Sequence, residues 1–212
     1  MRSAHYLADK QLAKLSARKP NTLLTSIGRV GAQKTRLFRE RTADGVTALE
    51  EILARLGPTG LLVMLGNGES EYETYLDETA ANQPNFVFLR GYSESLAQQL
   101  YSGGDLFLMP SSFEPCGISQ MLAMRAGQLC VVHGVGGLKD TVSDNVNGFV
   151  FDGRTSGVQA SNFVAKVAQA LELRKSSTER WRQMQQSAAA MRFDWDTSAA
   201  AYEAQLYDIN GS

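Results

Sequence analysis

Short apolar runs at residues 22–27, 61–65, 85–89, 106–109 and 129–132 alternate with amphipathic stretches, and this alternation limits what the chain can fold into. Runs that are continuously apolar, rather than apolar at every second position, are buried on both faces, as strands of a parallel sheet are when helices cover both sides. Residues 148–151 read as a sixth strand. Helices are predicted at 46–56, 69–82, 93–102, 117–126 and 137–142, punctuated by Gly57-Pro58, Gly103-Gly104 and Gly127. Right-handed crossovers between sequential strands then give one doubly wound, Rossmann-like α/β domain over residues 21–192. Beyond Gly153 the pattern is helical only, at 156–173, 178–191 and 197–207, and residues 193–212 are expected to form a closing helix. Residues 1–20 are polar, amphipathic and without a strand of their own, and read as a connector. Residues 35–45, crowded with arginine and acid and lacking periodicity, are expected to be an exposed loop.

Composition narrows the ligands. At 212 residues and 43% hydrophobic, the chain can bury one sizeable core. A formal net charge of -1 argues against nucleic acid or an anionic membrane held by bulk electrostatics, so a phosphate-bearing ligand is expected to be small. No apolar run is long enough to span a membrane or to serve as a signal peptide. Two cysteines are too few for a disulfide scaffold, and a cytoplasmic location is expected.

In open parallel sheets, ligands bind outside the carboxyl ends of the strands. Residues 106–117 run from an apolar strand into a loop containing Glu114 and Gly117. A helix starting at Gly117, with Ile118 and Ser119 next, would aim unpaired N–H groups at an anion. Glu114 could accept hydrogen bonds from hydroxyls attached to that anion, which points to a sugar phosphate. A plain capped turn accounts for the same residues. After the first strand, Arg29 and Lys34 could grip a diphosphate, one through a bidentate fork and the other as a point charge. Most such cations are simply solvated. Tyr92, after the third strand, could stack on a base for about 1 to 3 kcal/mol or be an ordinary half-buried tyrosine. Gly66-Asn67-Gly68 reads as a structural turn, and the glycines of 134–138 allow close backbone approach. The dinucleotide fingerprint and the Walker lysine are missing, which demotes nicotinamide chemistry and ATP hydrolysis. His5 and His133 are the only histidines, no Cys/His spacing resembles a zinc site, and no metal is expected. Cys116 has no base near it in sequence and is expected to pack inside a tight loop.

Phe113-Glu-Pro-Cys-Gly-Ile-Ser-Gln, preceded by Met109-Pro-Ser, closely resembles the signature of bacterial glycogen synthases and plant starch synthases. In order along the chain, Ser26-Ile-Gly-Arg-Val-Gly-Ala-Gln-Lys, Gly91-Tyr92-Ser-Glu, Gly136-Gly-Leu-Lys-Asp-Thr-Val and Phe193-Asp-Trp-Asp resemble further segments of that family. The resemblance implies the C-terminal, donor-binding half of a retaining glycosyltransferase of GT-B fold that uses ADP-glucose to extend an alpha-1,4-glucan. It implies that Arg29 and Lys34 hold the diphosphate, Glu114 binds donor-sugar hydroxyls, the backbone around Cys116, Gly117 and Ile118 contacts glucose, Ser119 reaches phosphate and Tyr92 faces adenine. The partners it implies are a nucleotide-sugar donor, with no separate cofactor, and a glucan acceptor bound through an N-terminal domain that these residues do not contain. Without that domain the chain is expected to be nearly inactive. Ser112, Thr35 and Gly134-Val135 stand where the family usually has arginine, glycine and Arg-Thr, and Leu122 stands where broader retaining enzymes have a second glutamate. Another nucleotide sugar, a catalytically silent nucleotide-sugar module and a protein-interaction domain that has lost its ligand are the competing readings.

Overall fold

The computed structural model describes residues 19–193 and 195–204. Six strands, β1 (Thr22–Ile27), β2 (Gly60–Gly66), β3 (Phe86–Arg90), β4 (Leu106–Met109), β5 (Leu129–His133) and β6 (Gly148–Phe151), form one sheet in the order β3-β2-β1-β4-β5-β6. Every pairing is parallel. β1, β4 and β6 have the predicted bounds, β5 is one residue longer, β2 is one residue longer at each end and β3 is shifted by one residue. β2, β4 and β5 are wholly buried, as expected of a sheet covered on both faces, while β1 is buried at Leu24, Thr25 and Ile27.

Nine helices lie among the described residues: α1 (Ala32–Arg39), α2 (Ala48–Leu56), α3 (Ser70–Asn82), α4 (Glu94–Gly103), α5 (Ser119–Arg125), α6 (Gly136–Thr141), α7 (Ser156–Ser176), α8 (Thr178–Ala190) and α9 (Trp195–Tyr202). The connector expected over residues 1–20 lies outside the described residues except for its last two, as does the end of the helix expected at 197–207.

α1 corrects the exposed loop expected over 35–45. Thr35, Leu37 and Phe38 are buried while Arg36 and Arg39 face outward, so an amphipathic helix of two turns lies inside a segment whose charges hide its pattern. Only residues 40–47 form the loop, closed by an antiparallel bridge between Arg41 and Thr47.

Thr47 then opens α2 with a capping box. Its hydroxyl accepts from the Glu50 N–H at 3.3 Å, and the Glu50 carboxylate accepts from the Thr47 hydroxyl at 2.7 Å and the Thr47 N–H at 3.0 Å. These bonds, from the hydroxyl first and the backbone second, hold the Glu50 carboxyl below the usual carboxylate range. Thr47→Ala is expected to cost about 1 kcal/mol in denaturant unfolding at neutral pH. A depressed folded-state pKa stabilises above the unfolded value and is lost as pH falls through the folded one. The variant and the native chain should therefore converge in acid.

At the opposite end of the sheet from the strands' carboxyl termini, Asp105 accepts from the Leu23 N–H and from Arg174 of α7, each at 2.8 Å, fixing β1 and the long helix together. Just before β5, the buried Gln128 accepts from Thr25 at 2.8 Å and donates to the Leu100 and Tyr101 carbonyls, so its amide is paired at both ends.

Candidate functional site

The strand order reverses between β1 and β4, and the loops leaving these strands diverge to leave a crevice at this switch point. Lys34 sits in the first turn of α1, just after β1, and Glu114 lies in the loop after β4. The lysine Nζ is 3.2 Å from Glu114 Oε2, and the Ser111 hydroxyl donates to the same oxygen at 3.4 Å. Glu114 is only 8% exposed. An ion pair with one half-buried partner contributes little stability by itself. The neighbouring hydrogen bonds hold the geometry: the Gln33 side-chain amide donates to the Phe113 carbonyl at 2.7 Å, and the Ser112 N–H donates to the Gln33 carbonyl at 2.8 Å.

Arg29 and Lys34 line a narrow pocket with Ser111 and the ends of β1 and β4. Arg29 also lines a wider crevice of about 580 Å³ with Gly66, Asn67, Gly68, Tyr92, Tyr101, Ser119 and Leu122, a volume suited to a nucleotide-sized ligand. Among the described residues the Arg29 guanidinium has no hydrogen bond or ion pair, and it is exposed toward this space. Tyr92 stands at the rim, 75% exposed, rather than half-buried. Burial pushes the Tyr101 phenol above its usual pKa, an effect the neighbouring Ser119 hydroxyl partly offsets.

The bend at Glu114–Gly117 differs from expectation in one respect. α5 starts at Ser119, not Gly117, with Ile118 as an N-cap that offers no side-chain bond. Gly117 has φ +76°, a left-handed conformation that cannot belong to a right-handed helix. α5 has only seven residues, so its dipole is a weaker source of anion attraction than the notion of a helix opening at the glycine implies. The buried Gln120 holds the bend from beneath, donating to the Gly117 carbonyl at 2.7 Å and the Cys116 carbonyl at 3.2 Å. Above it, the Gly137 N–H donates to the Glu114 carbonyl at 3.0 Å. A Cβ on Gly136 would lie 2.0 Å from the Glu114 carbonyl oxygen, and one on Gly137 would lie 2.3 Å from that of Cys116, so both positions require glycine. Cys116 is exposed rather than packed within the loop as expected, and Ile118 is 67% exposed. Cys116, Gly117 and Ile118 are not among the residues that line the crevice.

The predicted cations and the predicted carboxylate therefore meet at one end of the sheet, and Tyr92 and Ser119 share the crevice with Arg29. Sequence patterns missed Gln33, Ser111, Gln120 and His133. The imidazole of His133 lies buried at the end of β5, with Nδ1 2.9 Å from the Ser111 carbonyl oxygen. It had drawn notice only as a metal ligand without partners.

The family model for glycosyl transferases group 1 matches residues 9–188. A glycogen synthase of Desulfitobacterium hafniense is 40% identical over 176 residues, 79% of this chain and 36% of its own length. One from Cellvibrio japonicus is 43% identical over 152 residues, 68% of this chain and 31% of its own. This chain thus spans about a third of the length of these relatives. Among solved structures, the catalytic domain of Arabidopsis thaliana starch synthase IV, bound to ADP and acarbose, superimposes with a TM-score of 0.72 at 29% identity, covering 96% of this chain and 41% of that one. With its parallel six-stranded sheet in the GT-B C-terminal arrangement, the chain belongs to the glycosyl transferases group 1 family.

Proposed function

We propose that this chain is the donor-binding half of a retaining glucosyltransferase of the glycogen-synthase type, seating ADP-glucose at the β1/β4 switch point. The observation that carries the reading is the 3.2 Å approach of the Lys34 ammonium to the buried Glu114 carboxylate, which juxtaposes a group suited to phosphate and one suited to sugar hydroxyls. In this reading Arg29 and Lys34 hold the diphosphate, Glu114 accepts from glucose hydroxyls, and the exposed Tyr92 ring stacks on adenine. The backbone at Cys116, Gly117 and Ile118 contacts the sugar, and Ser119 reaches phosphate. The relatives' glycogen-synthase names and the ADP carried by the starch synthase support this donor.

The chemistry asked of the chain is electrostatic. As the bond from sugar to diphosphate breaks, negative charge grows on the leaving oxygens, and fixed cations stabilise it without a proton having to be delivered to the leaving group. The glucan acceptor would be held by a second domain, and this chain alone should form little or no glucan.

Calorimetric titration of the purified chain with ADP-glucose and with ADP tests the assignment. Both should saturate. Glu114→Gln should weaken ADP-glucose at least 10-fold and leave ADP no weaker than native, because the sugar loses its acceptor while the Lys34 ammonium, freed of its 3.2 Å partner, still meets the diphosphate. Absence of saturable binding by either ligand would leave a domain that kept its fold and lost its ligand. UDP-glucose in the same titration tests the base preference.

A further inference from the structure

We propose that His133 is a positioning residue for the donor sugar, setting the Glu114 carboxylate through Ser111. This inference rests on the reading of Glu114 given above. The Ser111 carbonyl lies in the loop after β4, beyond the last ladder pair at Met109, so no neighbouring strand supplies it with a donor. His133 does: a carbonyl oxygen can only accept, so Nδ1 at 2.9 Å carries the proton. Ser111 is wholly buried, and its own hydroxyl reaches Glu114 Oε2 at 3.4 Å. One imidazole N–H therefore fixes the residue that steadies the carboxylate, and the ring is held by stacking on Phe151 at 5.1 Å and 7°.

The other ring nitrogen supports a role beyond packing. Nε2 is buried without a hydrogen-bond partner, with the Asp152 carboxylate at 3.7 Å too distant for one. A histidine kept only to fill space would be better replaced by an apolar ring, which has no polar atom to desolvate. Its retained advantage is the donor at Nδ1. The backbone leaving His133 leads directly to Gly136 and Gly137, which press on the Glu114 and Cys116 carbonyls, so both routes from β5 end on the same bend.

Two substitutions separate positioning from packing. His133→Phe keeps a ring against Phe151 and removes the donor. His133→Asn removes the ring and keeps an N–H the same number of bonds from the backbone as Nδ1. The readout is the ratio of ADP-glucose to ADP affinity in the purified chain, measured by calorimetry beside Glu114→Gln. Positioning predicts that His133→Phe lowers the ratio about 10-fold and that His133→Asn keeps it within 3-fold of native, even if the Asn chain melts lower. The reverse pattern, a preserved ratio in Phe and a fallen one in Asn, overturns the proposal. If the Phe chain does not fold, the Asn chain decides by the same threshold. Should Glu114→Gln itself leave the ratio unchanged, the sugar role of Glu114 fails; should that control respond while His133→Phe does not, only the role of His133 fails.

Discussion

Lys34→Ala is expected to slow glucosyl transfer 100- to 1000-fold once this chain is joined to an acceptor-binding domain, a loss of about 2.7 to 4 kcal/mol, as for removal of one preorganised donor to a developing oxyanion. The ground-state effect should be smaller. Before reaction the ammonium is shared with Glu114 at 3.2 Å, so part of its charge is already answered. When the diphosphate departs, its added charge draws on the lysine more strongly than the bound donor does, and only an interaction that strengthens in the transition state raises the rate. ADP-glucose affinity should therefore fall by roughly 10-fold while kcat falls further. Initial rates over a range of donor concentrations separate the two. An unchanged kcat with a raised KM would reduce Lys34 to a binding group and remove the electrostatic account of leaving-group departure.

Lys34→Arg should not restore the native rate. The lysine stem runs beside Gly28, where an added Cβ would lie 3.2 Å from Lys34 Cδ, so the channel has little width to spare. A planar guanidinium presents its donors as a fork rather than a point and does not fit the same path.

The sheet was legible because burial on both faces leaves a continuous apolar run, and a run such as Leu61–Leu65 needs no knowledge of its neighbours to be read as a strand. α1 was not, because its inward face is made by Thr35, Leu37 and Phe38 across two turns, and the arginines between them dominate the local composition. At the site, Arg29, Lys34 and Glu114 could be named because they carry charge at strand ends. The residues that aim them could not. Gln33 meets Phe113 across 80 residues of sequence, and His133 meets Ser111 across 22, contacts created by strand order alone. The start of α5 was misplaced by two residues for a local reason: a glycine reads as a helix opener until its φ of +76° is known.

The same long-range logic makes Phe163→Ala the substitution with the largest expected cost in stability, about 3 to 5 kcal/mol. Phe163, on α7, is fully buried, meets Phe38 of α1 edge-on at 5.3 Å and tilts against Phe151 of β6 at 5.1 Å. Truncation removes two aromatic contacts, worth about 0.5 to 1.5 kcal/mol each beyond their buried area, and leaves a cavity between elements that the sheet holds too firmly to collapse. For a chain of this size the loss should lower Tm by roughly 6 to 20 °C. Phe163→Leu, which keeps most of the volume, should cost less than half as much. The position also bears on the site. Phe38 belongs to the helix that carries Lys34, and Phe151 stacks on His133, so the cavity lies between the supports of both sides of the ion pair. Donor affinity in the folded Ala variant, measured well below its melting range, should consequently fall more than in an equally destabilised variant made remote from the site, such as Trp181→Ala on α8. Equal affinities in the two would confine Phe163 to stability and leave the Lys34–Glu114 geometry set by the loops alone.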